Sequence, residues 1–188
     1  MRYTRLLLAA IFALCLAAAH AQQAQAQVCT LTVEQAPELR GFRLGMTTEE
    51  IRARFPGALV RQMGFGSSSA QLTQAAFGQG NADAYKGVND INLLFLDDHL
   101  AYLAVGYDQT VPWKNAGQFA ARVSEFLKLP DAWRDGAGNG NKVLTCAGFD
   151  VIVTPGINTV TLTIPGYSEV LRQRREQHEE KLRQDFRP

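Results

Sequence analysis

The chain of 188 residues carries 19 Lys and Arg against 18 Asp and Glu, a formal charge of +1, with 46% hydrophobic residues. So even a balance gives no electrostatic footing for nucleic acid or an anionic membrane surface, and the length suits one ordinary domain. Three histidines in separate segments show no metal-ligand spacing, and no cofactor site is predicted.

The first segment, MRYTRLLLAAIFALCLAAAHAQQAQAQ, places Arg2 and Arg5 before an apolar run of 14 residues from Leu6 to Ala19. That run is short of the ~18 residues expected of a spanning helix and is followed by small residues at alternating positions, so residues 1–26 read as a secretory signal peptide. Cleavage after Ala21 or after Ala26 satisfies the small-x-small rule, and Cys15 leaves with the leader. Losing Arg2 and Arg5 takes the formal charge from +1 to −1 and leaves no transmembrane segment. Cys29 and Cys146 remain, in a compartment where disulfides persist. The pair has one intramolecular connectivity, Cys29–Cys146, with two buried free thiols as the alternative.

Residues 27–166 read as a single α+β domain, an antiparallel sheet packed by two helices on one face. Val28 to Val33 alternates and predicts a short strand ended by Pro37. GMTTEEIRARFPG, residues 45–57, predicts a helix over 46–55. Thr47 and Glu50 form a capping box, Met46 and Ile51 a hydrophobic staple, and Pro56-Gly57 a stop. Residues 58–63 suit a strand, and the breaker-rich stretch 64–90 predicts loop with a short helix over Gln71 to Phe77. INLLFLDDHLAYLAVGY, residues 91–107, predicts a β-hairpin about Asp97-Asp98-His99.

Pro112 suits an early helical position, and Phe119, Val123, Phe126 and Leu127 mark an apolar face, with Pro130 ending the helix. GAGNGN, residues 136–141, predicts a loop. Lys142 to Thr154 and Asn158 to Ile164 predict two or three strands turning at Pro155-Gly156. Residues 167–188 predict a polar C-terminal helix laced by Arg172/Glu176, Arg175/Glu179, Glu179/Arg183 and Lys181/Asp185, with Leu171, Leu182, Phe186 and His178 on a narrow stripe. Helix followed by strands occurs twice. Aligning Pro56 with Pro130, however, sets Ile51 opposite Glu125, so the two helical faces do not register.

Asp97, Asp98 and His99 form the densest cluster of acid/base groups. Carboxylates that orient an imidazole suit an exported hydrolase, whereas Asp at a hairpin apex also suits turn geometry alone. Ser67-Ser68-Ser69 lacks the closing glycine of a nucleophile elbow. Gly136 to Lys142 lacks the helix that would aim N–H groups at a phosphate, and Asn81-Ala82-Asp83 lacks the repeated ligands of a calcium loop. Trp113 and Trp133, flanking the second helix, suit core closure.

Gly45-Met46-Thr47, then Ile51 and Phe55 at the helical interval, resemble the G-M-T-x-x-x-V-x-x-x-L signature of the SmpA/OmlA-type envelope assembly proteins. The similarly built β-lactamase inhibitory proteins share this resemblance, which spans residues 45–55. It implies a small exported α+β module that binds another envelope or secreted protein without catalysis. A small-ligand carrier with residues 64–90 as a lid over an apolar cavity is a third expectation.

Overall fold

The computed structural model describes residues 28–77, 83–110, 113, 115–138 and 140–186. The expected signal peptide, Pro112, Asn81, Ala82 and Asn139 lie outside them. Eight antiparallel strands form one sheet: β1 (Arg61–Gly64), β2 (Ser67–Thr73), β3 (Val88–Leu96), β4 (His99–Tyr107), β5 (Arg134–Asp135), β6 (Lys142–Thr145), β7 (Asp150–Thr154) and β8 (Thr159–Thr163). Their order across the sheet is β1-β2-β3-β4-β8-β7-β6-β5. Helices α1 (Thr48–Arg54) and α2 (Ala116–Leu127) each precede a four-strand meander, and α3 (Tyr167–Asp185) follows the last strand.

The strand order reads identically from either edge when β1–β4 are exchanged for β5–β8. The halves are therefore related by a pseudo-twofold between β4 and β8. A register two residues from the Pro56–Pro130 alignment sets Ile51 against Val123 and Phe55 against Leu127, all four buried. The symmetry of helix and strand order is a property of the fold that the proline landmarks misalign.

Pleating sends alternate residues to opposite faces. One face carries Ala70, Leu93, Leu103, Leu162, Val151 and Leu144 side by side across six strands, all buried. Leu72, Ile91, Val105, Val160 and Val153 make the next row. Ile51 and Phe55 from the α1 segment and Phe119, Val123 and Leu127 from α2 join the same apolar cluster, so two helices pack on one face of the sheet. Each large side chain fully buried there contributes about 1.5–3 kcal/mol.

Several local expectations change. Val28 to Val33 is not a strand: it runs extended into a 3₁₀ turn at Val33–Gln35, closed by Thr32 N–H donating to the Gln35 side chain at 3.0 Å. The disulfide Cys29–Cys146, with Cα atoms 4.5 Å apart, and a hydrogen bond from Gly148 N–H to the Leu31 carbonyl (3.1 Å) fix this segment to the β6–β7 turn. Residues 64–90 are not mainly loop, because Ser67–Thr73 is an internal strand. Its small Ser68 and Ala70 stand opposite Phe95 and Leu93, so neighbouring bulk specifies a strand that local propensity does not. The expected helix over Gln71 to Phe77 shrinks to a 3₁₀ turn at Gln74–Ala76.

Asn115 starts α2, accepting from Gln118 N–H at 2.9 Å, and Lys128 ends it in the left-handed region, before Pro130. Phe126, expected on the core face, is 69% exposed. The buried positions of α2 run from Phe119 round to Ser124, an arc of about 140° at about 100° per residue, and Phe126 falls about 20° outside it.

Along α3, Arg172 bonds Glu176 as expected (2.6 Å) and Glu169 as well, while Arg183 takes Glu180 rather than Glu179. The expected stripe docks in part: His178 lies edge-on to Phe65 at 5.6 Å, whereas Leu182 and Phe186 in the last turns are exposed. Buried Tyr167 and Arg174 hold the helix beside it.

Candidate functional site

The α1 start and the β3–β4 turn, distant in sequence, meet in one junction. Gly45 takes φ +84°, where glycine carries no Cβ penalty, and its N–H donates to the Leu100 carbonyl while Leu100 N–H donates to the Met46 carbonyl, both 2.8 Å. Thr47 then caps α1: its hydroxyl accepts from Glu50 N–H (3.2 Å) and its N–H donates to the Glu50 carboxylate (2.7 Å). That bonding, from the Thr47 backbone first, holds the Glu50 carboxyl below its usual range. Met46 and Ile51 are buried as a staple requires.

Asp97 and Asp98 both take positive φ, 48° and 69°, forming the two-residue turn that Asp tolerates. Asp98 accepts from the Thr48 hydroxyl, tying the turn to α1. Asp97 accepts from both Arg174 Nη atoms, at 2.8 and 2.7 Å, and Arg174 also donates to the Phe65 carbonyl at 3.0 Å. The guanidinium holds the Asp97 carboxyl below the usual aspartate range. His99 Nδ1 lies 2.8 Å from the Asp97 carbonyl. The structure thus brings Asp97, Asp98 and His99 together on a solvent-facing turn, with the Asp97 side chain 61% exposed, and gives both carboxylates partners from helices. Gly66 makes the approach feasible, since a Cβ there would lie 2.5 Å from Arg174 Nη1 and 2.6 Å from Asp97 Oδ1.

Ser67 and Trp133 have structural partners. Ser67 donates its hydroxyl to the Gly64 carbonyl at 2.7 Å, within the β1–β2 turn. Trp133 Nε1 donates to Ser124 Oγ at 2.7 Å, closing the core beside α2. Among the described residues, no three His, Cys, Asp or Glu side chains are placed to hold a metal ion, and no helix is long and apolar enough to cross a membrane.

Two surfaces lie away from this junction. The sheet face opposite the core carries Gln71, Asn92, Ala104, Thr161, Ile152, Val143 and Arg134 in one cross-strand row, with Ala104 and Thr161 at its middle buried, flanked by Ser69, Leu94, Tyr102, Thr163, Asp150 and Thr145. Strand spacing near 4.8 Å makes the longer row about 29 Å wide. Sequence alternation marks individual members, but only the register aligns them.

The second is a cleft of about 420 Å³ on the helix side, where the Leu39–Arg40 and Lys86–Gly87 segments, Tyr107 and α2 meet. Trp113 stacks on Phe119 (4.7 Å between centroids) at its wall, and exposed Phe126 lines it. Arg40 donates to the Ala84 carbonyl (2.9 Å) and stands over the Tyr107 ring at 5.3 Å. Burial pushes the Tyr107 phenol up, against the opposite pull of Arg40. Asp108 is held low by the Thr110 hydroxyl and N–H. No family model, curated protein or solved structure matches the chain.

Proposed function

We propose that the protein is an exported, non-catalytic module that binds another envelope or secreted protein through the outward face of its sheet. The observation that carries this reading is the pair of adjacent outward rows, with Ile152 in the longer one and Leu94 and Tyr102 in its neighbour, placed among Ser, Thr and Asn side chains. An apolar centre that includes tyrosine within a polar surround is the make-up of protein interfaces. Half-buried side chains on a hydrogen-bonded sheet also lose little freedom when a partner docks. The leader sequence and the Cys29–Cys146 disulfide support export. The resemblance at Gly45-Met46-Thr47 points to the same class of module.

Photo-crosslinking in the producing cell tests this, with a photoreactive residue replacing Tyr102 or Asn92 on the outward face and, as control, exposed Ala121 on α2. The expected result is a discrete adduct with one envelope or secreted protein from the two sheet positions only. Equal adducts from Ala121, or none from Tyr102 and Asn92, would overturn the assignment.

A further inference from the structure

We propose that the cleft between α2 and the Leu39–Arg40 and Lys86–Gly87 segments binds an organic anion with an apolar body and a carboxylate or sulfonate head. Its volume, about 420 Å³, lies within the range of roughly 300–1,000 Å³ in which pockets enclose drug-sized ligands. The body of such a ligand meets the stacked Trp113–Phe119 pair, with Val123, Leu127 and Val160 behind it. Phe126 completes this wall. It is a large apolar side chain outside the core arc of α2, and a ligand in the cleft would cover the ring that the fold leaves 69% exposed.

The charge of the ligand follows from the cations. Arg40, Lys86 and Arg122 border the cleft against one carboxylate, Asp108, whose Oδ1 already accepts from the Thr110 hydroxyl (2.5 Å) and N–H (3.2 Å). Arg122 is paired with Glu125 on the surface of α2. Among the described residues, Arg40 and Lys86 have no carboxylate partner within salt-bridge distance. Arg40 is fixed in advance by the Ala84 carbonyl and the Tyr107 ring, and its Nε is buried with no acceptor. A cation oriented before binding and set beside apolar surface attracts an anion more strongly than one in bulk water, because the local dielectric is lower. Charge complementarity therefore selects an amphipathic anion over an uncharged ligand of the same shape.

The test uses the full chain, with 8-anilinonaphthalene-1-sulfonate as the anionic probe, uncharged N-phenyl-1-naphthylamine as its counterpart, and calorimetry for stoichiometry. The sulfonate should fill one saturable site, bind about tenfold or more tightly than the neutral probe, and be displaced by dodecanoate, since a hydrogen bond to a charged group is worth about that factor. Lys86→Gln, at an exposed position, should weaken the sulfonate and leave the neutral probe unchanged. Phe126→Glu, also exposed, should weaken both while the thermal midpoint stays put. Equal affinity for the two probes, or sulfonate binding indifferent to Phe126→Glu, would overturn the proposal, as would the absence of a saturable site. Because the outward sheet face plays no part, these results are independent of the crosslinking outcome.

Discussion

Replacing both Cys29 and Cys146 by alanine should lower stability by about 5 kcal/mol, chiefly through the unfolded chain. The bond joins residues 117 apart and encloses α1, α2 and β1 to β6. The chain-entropy relation for a loop of that length gives about 16 cal/mol/K, or about 5 kcal/mol at 25 °C. Both cysteines are buried, at 4% and 5% exposure, so losing two sulfurs adds a packing cost of up to about 1 kcal/mol. The hydrogen bond from Gly148 to Leu31 survives the substitution and keeps the N-terminal segment near its place. For a domain of this size each kcal/mol shifts the midpoint by about 2–4 °C, so Tm should fall by roughly 10–20 °C. Urea unfolding of the oxidised protein, the reduced protein and the double variant measures it. The m-value should rise, because the unlinked chain exposes more surface when unfolded, while near-ultraviolet circular dichroism of the native state stays unchanged. A loss under ~2 kcal/mol would refute the loop-closure reasoning. So would the full loss with an unchanged m-value and an altered native spectrum, which would locate the effect in native packing.

Thr47→Ala removes the acceptor for Glu50 N–H and should cost about 0.5–2 kcal/mol in urea unfolding, with Thr47→Ser restoring most of it. Gly148→Ala places a Cβ 2.5 Å from Val33 N and 3.0 Å from the Thr32 carbonyl carbon, so backbone must move; a loss of about 1–3 kcal/mol and faster proteolysis near residue 33 are expected. Gly66→Ala should free α3 from the two turns, seen as loss of the Phe65 ring-current shift on His178 protons while the sheet amides stay protected. Acid should do the same. Asp97 has a lowered folded-state pKa, so the pair stabilises docking above the ordinary aspartate value of 3.8 and loses that contribution as pH falls through the lower value. The His178 signal should therefore report release only below pH 3.8, and release above it would contradict the pairing.

The β3–β4 hairpin and the α1 cap were legible in the sequence because each is local. Alternation over residues 91–107, two Asp at the turn and a Thr-x-x-Glu box fix their own geometry within a few residues. Ser67–Thr73 was not, since its strand character comes from Phe95 and Leu93 across the ladder. Phe126 lies outside the core face because Ala116 and Ala120 also belong to the apolar positions of α2, which moves the centre of the buried arc away from it. The cleft assembles residues near 40, 86, 107 and 122, which no window of sequence brings together.

Two features that looked separate in the sequence, the Gly45-Met46-Thr47 helix start and the Asp97-Asp98-His99 turn, are halves of one junction. Asp98 receives the Thr48 hydroxyl from α1 while Asp97 receives Arg174 from α3, so adjacent residues of one hairpin tip each locate a different helix. Acidic residues suit that position twice over: they tolerate the left-handed turn, and they supply acceptors to groups approaching from outside the sheet. A catalytic use of these carboxylates would first require breaking the contacts that position α1 and α3. The junction lies at one end of β3 and β4, whereas the cleft lies beside Gly87 and Tyr107 at their other end. Scaffold-holding and ligand-facing chemistry are thereby separated by the length of a nine-residue strand, about 30 Å at 3.3–3.4 Å per residue. Substitutions at the junction should consequently alter helix docking without changing affinity in the cleft.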